Sequence, residues 1–181
     1  TYRTVAPQPI RLVSASGQVL MTGDDIAAGK GGFQKADLMD YGSLYGMGSY
    51  YGEDYTASIL VRLANATQSN IAADQYDRSL TALTEEQRTM VAATMRKALQ
   101  GIDLTRPDVV LPDSVAKALQ AVRDEVAATL HIADPQTGWT SAYSLTPELA
   151  VKTADFLIYS SLTTFPRRPG TTWNWRLLFL T

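Results

Sequence analysis

The chain has 181 residues, of which 45% are hydrophobic and 19% charged, the profile of one globular domain large enough to bury a real core. A net charge of −2, with no basic cluster larger than the pair Arg167-Arg168, leaves no electrostatic footprint for nucleic acid. With no Cys the chain can form no disulfide, thiolate nucleophile, Cys zinc site or thioether-linked haem, and no apolar run approaches the roughly eighteen residues of a membrane helix.

The chain opens TYRTVAPQPIRLV, without the pattern of a signal peptide, and closes on the aromatic WNWRLLFLT. Both ends read as cuts that excise a soluble piece from something longer. Residues 1–21 form a β lead-in, in which IRLVSASGQVLMT gives two short extended runs around Ser16-Gly17, a small hairpin. Residues 22–166 follow as a helical core, and 167–181 as a tail. Thr22 is placed to cap a first helix, with Asp24 and Asp25 at the positive end of its dipole. Ile26, Gly29 and Phe33 share one face of that helix, whose glycines weaken it unless something packs closely there.

DYTASILVRLAN predicts a second helix with Tyr55, Ile59 and Leu63 on one stripe, and residues 65–79 read as a polar loop. Thr84-Glu85-Glu86-Gln87 is a capping box opening a helix to about Leu99, stopped at Gly101. Pro112-Asp113-Ser114 opens the clearest helix, with Val115, Leu119, Val122, Val126 and Leu130 at spacings of four and three. DPQTGWTSAYS reads as a loop. Thr146-Pro147 starts a last helix whose buried face is Ala150, Ala154, Leu157, Ser161 and Phe165, ended by Pro166. The expected class is mainly α, with a small N-terminal β-hairpin.

Few residues offer chemistry. Glu53 and Asp54 are adjacent and do not face each other at a helix start, where acids serve the dipole. His131 closes a helix with no second imidazole to share a metal, and Met90 and Met95 fall on or beside an apolar stripe, where they pack. Gly29, Gly31 and Gly32 follow no strand, so they imply no phosphate loop. The Tyr/Gly-rich run at residues 31–57 has the composition of a protein contact surface.

That run carries a more specific signal. DIAAGKGGFQKADLMDYG is similar to the first helix and haem loop of class I cytochromes c, with Ala27 or Ala28, Gly29 and Phe33 fitting the helix. Gly46-Met47-Gly48-Ser49-Tyr50-Tyr51-Gly52-Glu53-Asp54 resembles the stretch after the haem loop in the cytochrome c subunit of bacterial nitric oxide reductases. In that register the two Cys positions fall on Leu38 and Tyr41, and the His position on Gly42. LMDYGSLYGMGSYYGEDYTASIL most resembles the N-terminal extracytoplasmic segment of the single-chain, quinol-dependent nitric oxide reductases. The likeness is most specific over residues 17–63 and weaker over 146–175, where Arg168-Pro169-Gly170 and Asn174-Trp175 take part. Met47 stands where that family often has His, and Trp173-Asn174-Trp175-Arg176 where it usually has Asn-Asn-Trp-Pro.

The resemblance implies a haemless, cytochrome c-like helical domain with extra helices, at the periplasmic face of the bacterial cytoplasmic membrane. It implies a parent that reduces two NO to N₂O with electrons from quinol, using b-type haems and a non-haem iron in its membrane helices. This piece would hold no catalytic residue, no cofactor, and neither calcium nor any other metal. It would act as a structural cap, docking on the membrane-embedded region of the same chain through Gly46, Gly48, Tyr50, Tyr51 and Asp54. Leu38 and Tyr41 would point into the vacated haem space, closed by Phe33, Leu60, Leu119 or Phe156. Two other readings stand beside it: an extracytoplasmic sensor or small-ligand module using the Tyr/Gly loop, and a soluble enzyme using Glu53 and Asp54.

Overall fold

The computed structural model describes residues 8–49, 52–131 and 145–164. Strands β1 (Arg11–Ser14) and β2 (Val19–Thr22) form the expected antiparallel hairpin, its turn closed by the Gln18 carbonyl accepting from the Ser14 N–H at 2.9 Å. Thr22 then caps α1 (Gly23–Lys35) in a reciprocal box: its hydroxyl accepts from the Asp25 N–H, and the Asp25 carboxylate accepts from the Thr22 N–H.

The helix does not fray at its glycines. It runs on to Lys35 and buries Ile26, Gly29, Gly32 and Phe33. The reason is α6 (Pro147–Leu162), which lies along that face. A Cβ on Gly29 would run into the Lys152 backbone carbonyl, and one on Gly32 into the Thr153 hydroxyl. The glycines surrender helix propensity, and the two backbones gain a close approach.

Helix α6 is the centre of the molecule. From Thr153 to Leu162 every residue except Phe156 is buried, with α1, α3 (Tyr55–Tyr76) and α5 (Asp113–His131) packed around it. The stripe expected on α5 is buried throughout, from Val115 to Leu130, and faces a shared core that includes Leu63, Leu157 and Ile158. Of the face expected on α6, Ala150, Ala154, Leu157 and Ser161 are buried, whereas Phe165, Pro166 and the tail lie outside the described residues. So does the expected loop over residues 134–144.

Three expectations are corrected. Residues 65–76 are not a loop but the second half of α3, a 22-residue helix. Their polar composition is the solvated face; Thr67, Ile71 and Ala72 are buried, and Asn70 donates to the Ser114 carbonyl at 2.9 Å. The helix ends where Asp77 turns left-handed, at φ 50°. A further strand, β5 (Asp108–Leu111), pairs parallel with β1, making a three-stranded sheet in the order β2-β1-β5. Arg11 and Asp108, opposite each other in that pairing, form a salt bridge at 2.7 Å.

Helix α4 (Glu85–Gln100) begins at the Thr84 capping box as expected, and packs on α3 around Val91, Ile71, Ala72 and Leu83. Met95 joins that cluster, but Met90 is 60% exposed, the third correction, because it sits on the solvent side of a mainly polar helix.

The α1–α6 approach generates a paired test. Gly29→Ala should destabilise by about 1–3 kcal/mol, the range for overpacking, although alanine is intrinsically the better helix former. Gly31→Ala, where a Cβ meets nothing within 4 Å, should instead stabilise by roughly 0.5–1 kcal/mol. Urea midpoints at unchanged m read both; a shift of the same sign in the two variants would refute the close-packing account.

Candidate functional site

Within the Tyr/Gly-rich run, residues 37–49 and 52–54 fold as a compact knot between α1 and α3. Asp37, in a left-handed conformation, turns the chain into the single-turn helix α2 (Leu38–Tyr41). A miniature antiparallel hairpin follows, β3 (Ser43–Leu44) and β4 (Met47–Gly48). Its two turn residues, Tyr45 and Gly46, both have positive φ, 59° and 73°, as a tight primed turn requires.

Asp54 holds this knot together. One carboxylate oxygen accepts from the Ala57 N–H at 2.8 Å and so caps α3. The other accepts from the Ser43 hydroxyl at 2.6 Å and from the Gly46 N–H at 2.7 Å, which fixes the hairpin. Burial pushes this carboxyl up, but the Ser43 hydroxyl and the N–H groups of Ala57, Gly46 and Thr56 outweigh it and hold the group below the usual carboxylate range.

The backbones stack tightly here. The Ser49 N–H reaches both the Met39 and Gly42 carbonyls, and Ser43 N–H donates to the Glu53 carbonyl at 3.0 Å. Gly48, at φ 135°, has the Gly42 carbonyl where a Cβ would stand, so only glycine fits.

The inner side of the knot is core. Leu38 has 0% exposure, and the Tyr55 hydroxyl donates to its carbonyl at 3.0 Å. Phe33 meets the Tyr55 ring edge-on at 6.2 Å and the Phe156 ring at 5.5 Å. Leu119 belongs to the same cluster, while Leu60 is buried and Phe156 half-buried. Tyr41 does not share the interior with Leu38; it is only half-buried. Gly42 is buried, and a Cβ there would lie 2.8 Å from the Tyr55 ring and against the Glu53 carbonyl.

The outer side is different. Tyr45, Met39 and Met47 are exposed, Met47 to 63%. The Thr163 hydroxyl donates to the Ser160 carbonyl, which leaves its oxygen to accept from the Tyr45 hydroxyl at 2.9 Å. The hairpin is therefore pinned to the C-terminal end of α6. Tyr50 and Tyr51 lie outside the described residues.

Glu53 and Asp54 do not form an acid–base pair. Glu53 faces Arg62 at 3.7 Å, and Arg62 in turn reaches Glu125 at 3.1 Å, while both oxygens of Asp54 are committed within the knot. His131 donates through Nδ1 to the Leu145 carbonyl at 2.8 Å, tying the end of α5 to the approach of α6. Among the described residues no three His, Asp or Glu side chains gather as a metal site, and no helix is long and apolar enough to cross a membrane. The organising role of Asp54 exceeds what its position at a helix start predicts; the second signal, Ser43 and Gly46 eight to eleven residues upstream, is not periodic.

A protein-family model for the cytochrome c-like domain of NorB, a nitric oxide reductase subunit, matches residues 9–176. No curated protein matches the chain.

Asp54→Ala should cost about 2 kcal/mol, since it removes a helix cap and two further charge-assisted bonds. The pH dependence follows from the lowered carboxyl. The stability it contributes is fully present above the unfolded value of about 4 and is lost as pH falls through the still lower folded value. Acid unfolding followed by circular dichroism should therefore be shallower in the variant than in the wild type below about pH 4. Parallel acid limbs would show that Asp54 is not the group responsible.

Proposed function

The chain belongs to the NorB cytochrome c-like domain family of nitric oxide reductases, and from that membership we propose that it is a haemless member serving as a docking cap. The parent is an oxidoreductase of that family. In this reading the parent takes electrons directly from quinol and reduces NO at metal centres within its membrane-embedded region. The domain sits on the periplasmic face and carries no electron itself.

Gly42 carries the proposal. In the register of the haem loop it stands where the ligating imidazole belongs, and the Glu53 carbonyl and Tyr55 ring fill the space any side chain would need. The two thiol positions are Leu38, fully buried in the core, and Tyr41. These residues do not fit a haem: none can form a thioether or ligate iron as imidazole or thiolate. A buried leucine and the Phe33–Tyr55–Phe156 aromatic cluster give the site the packing a cofactor would otherwise supply.

The docking role is supported by what the knot presents outward. Ser43, Gly46 and Asp54 are bonded to one another within it, and beside the exposed acids Asp37 and Asp40 it displays Met39, Tyr45 and Met47, soft and aromatic side chains of the kind that fill partner pockets. Tyr45 is fastened to Thr163, so the hairpin stands beside the point where α6 hands the chain to the family-matched tail. In our reading that side faces the membrane region of the same chain, and the neighbouring run through Gly46, Gly48, Tyr50, Tyr51 and Asp54 forms the contact.

Two experiments test this. The purified domain, expressed with haem-maturation machinery, should show no Soret band after gel filtration; a band that is lost in His131→Ala would refute the haemless reading. In the full-length enzyme, Met47→Asp places a charge on the proposed contact while leaving the knot intact. It should lower detergent stability and NO reduction severalfold, with the isolated domain melting as wild type. Wild-type activity and stability would leave the hairpin a solvent-facing remnant.

A further inference from the structure

Helix α6 carries a carboxylate in a place where apolar packing would be expected. Asp155 is 3% exposed, midway along the most buried helix of the fold. One of its oxygens, Oδ1, has no hydrogen-bond partner. Its nearest cation is Arg123 of α5, with Nη1 at 3.6 Å, beyond hydrogen-bonding range. That same Nη1 is already donating to the Leu20 carbonyl of β2, and the Arg123 Nε is buried without a partner.

The remaining charges around Asp155 come from two elements. Asp25 of α1 repels it, and Lys152 of α6 attracts it but pairs with Asp25 at 3.7 Å, closer to the surface. The charged groups of helix α3, the third neighbour of α6, pair elsewhere: Arg62 with Glu53 and Glu125, and Asp74 with Lys117. A carboxylate here is desolvated, lacks a bond at one oxygen, and has a distant, shared counter-ion. Its protonated form fits the site better.

We propose that Asp155 is a proton-operated latch, whose carboxyl keeps its proton while α6 is seated and whose ionisation loosens α6 from α1 and α5. Burial, reinforced by the Asp25 charge and only partly offset by Arg123 and Lys152, pushes the carboxyl up to about 7, so the latch works near neutrality. The sign is set by the open state, in which water reaches the carboxyl and it ionises at its ordinary value near 4. Opening then releases a proton. The stabilising effect is complete below about pH 4 and is lost as pH rises through about 7. Because Thr163 at the end of α6 holds Tyr45, loosening the helix also loosens the anchor of the hairpin.

The test uses the 181-residue chain and the variant Asp155→Asn, which keeps the shape and cannot titrate. Between about pH 5 and about pH 7 the unfolding equilibrium constant of the wild type should rise, relative to the variant, by about tenfold per pH unit, and level off above. Parallel pH profiles would overturn the latch. A carboxyl ¹³C titration on the wild type decides the matter even if the variant does not fold. A midpoint near 7 supports the proposal, and an ordinary midpoint near 4 overturns it. Amide exchange over Ser160–Leu162, corrected for its intrinsic pH dependence, should lose protection above neutrality in the wild type alone; equal protection on both sides of neutrality is a second refutation.

Discussion

The close approach of α6 to a glycine face of α1 sets the geometry of this domain. Gly29 of α1 lies against the Lys152 backbone of α6 and Gly32 against the Thr153 hydroxyl, so at these two positions α1 places no side chain between the helices. That approach lets α6 lie deep enough to be enclosed by α1, α3 and α5 together. It also brings Phe156, one turn beyond Lys152, against Phe33. Phe33 in turn backs Tyr55, and Tyr55 supports Leu38. A chain of contacts thus runs from two glycines to the base of the loop, and widening the first step would disturb each of the others.

The loop itself illustrates how a glycine-rich segment can be held by bonds to a single side chain. Short connections rich in glycine lose much conformational entropy when fixed, and need compensating bonds. Here one ionised side chain supplies them. Asp54 ties a helix start, a hairpin turn and a strand hydroxyl, and its charge strengthens each bond over a neutral equivalent. The apolar residue Leu38 performs the other half of the task from beneath, by burial alone.

Features governed by neighbours in sequence were legible from it. The caps at Thr22, Thr84 and Thr146 depend on residues three positions away, and each appears where its pattern places it. The α5 stripe was clear because its apolar residues keep one period for sixteen positions, Val115 to Leu130. Features governed by distant partners were hidden. The polar half of α3 is helical because Ile71 and Ala72 find Leu83 and Val91 on another helix. Strand β5 is four residues long and its partner lies 97 positions earlier. The Tyr45-Gly46 turn lacks the Asn-Gly spelling, and its first residue takes positive φ under the constraint of the Thr56 hydroxyl, which accepts its N–H. Asp155 reads as a solvated charge on an amphipathic helix until Arg123 is placed beside it.

The parallel pairing of β1 with β5 has a consequence for the order of assembly. The strand beginning at Arg11 pairs with one that ends at Leu111, so on an emerging chain its second edge stays bare until α1, α3 and α4 have all been made. Closing so wide a loop carries an entropic cost that must be met before the contact stabilises anything, and such contacts slow folding. The β1–β2 hairpin, complete within a dozen residues, has no such delay. Early in synthesis it presents an unpaired edge flanked by Arg11, whose charge guards against pairing with other chains until Asp108 arrives to neutralise it.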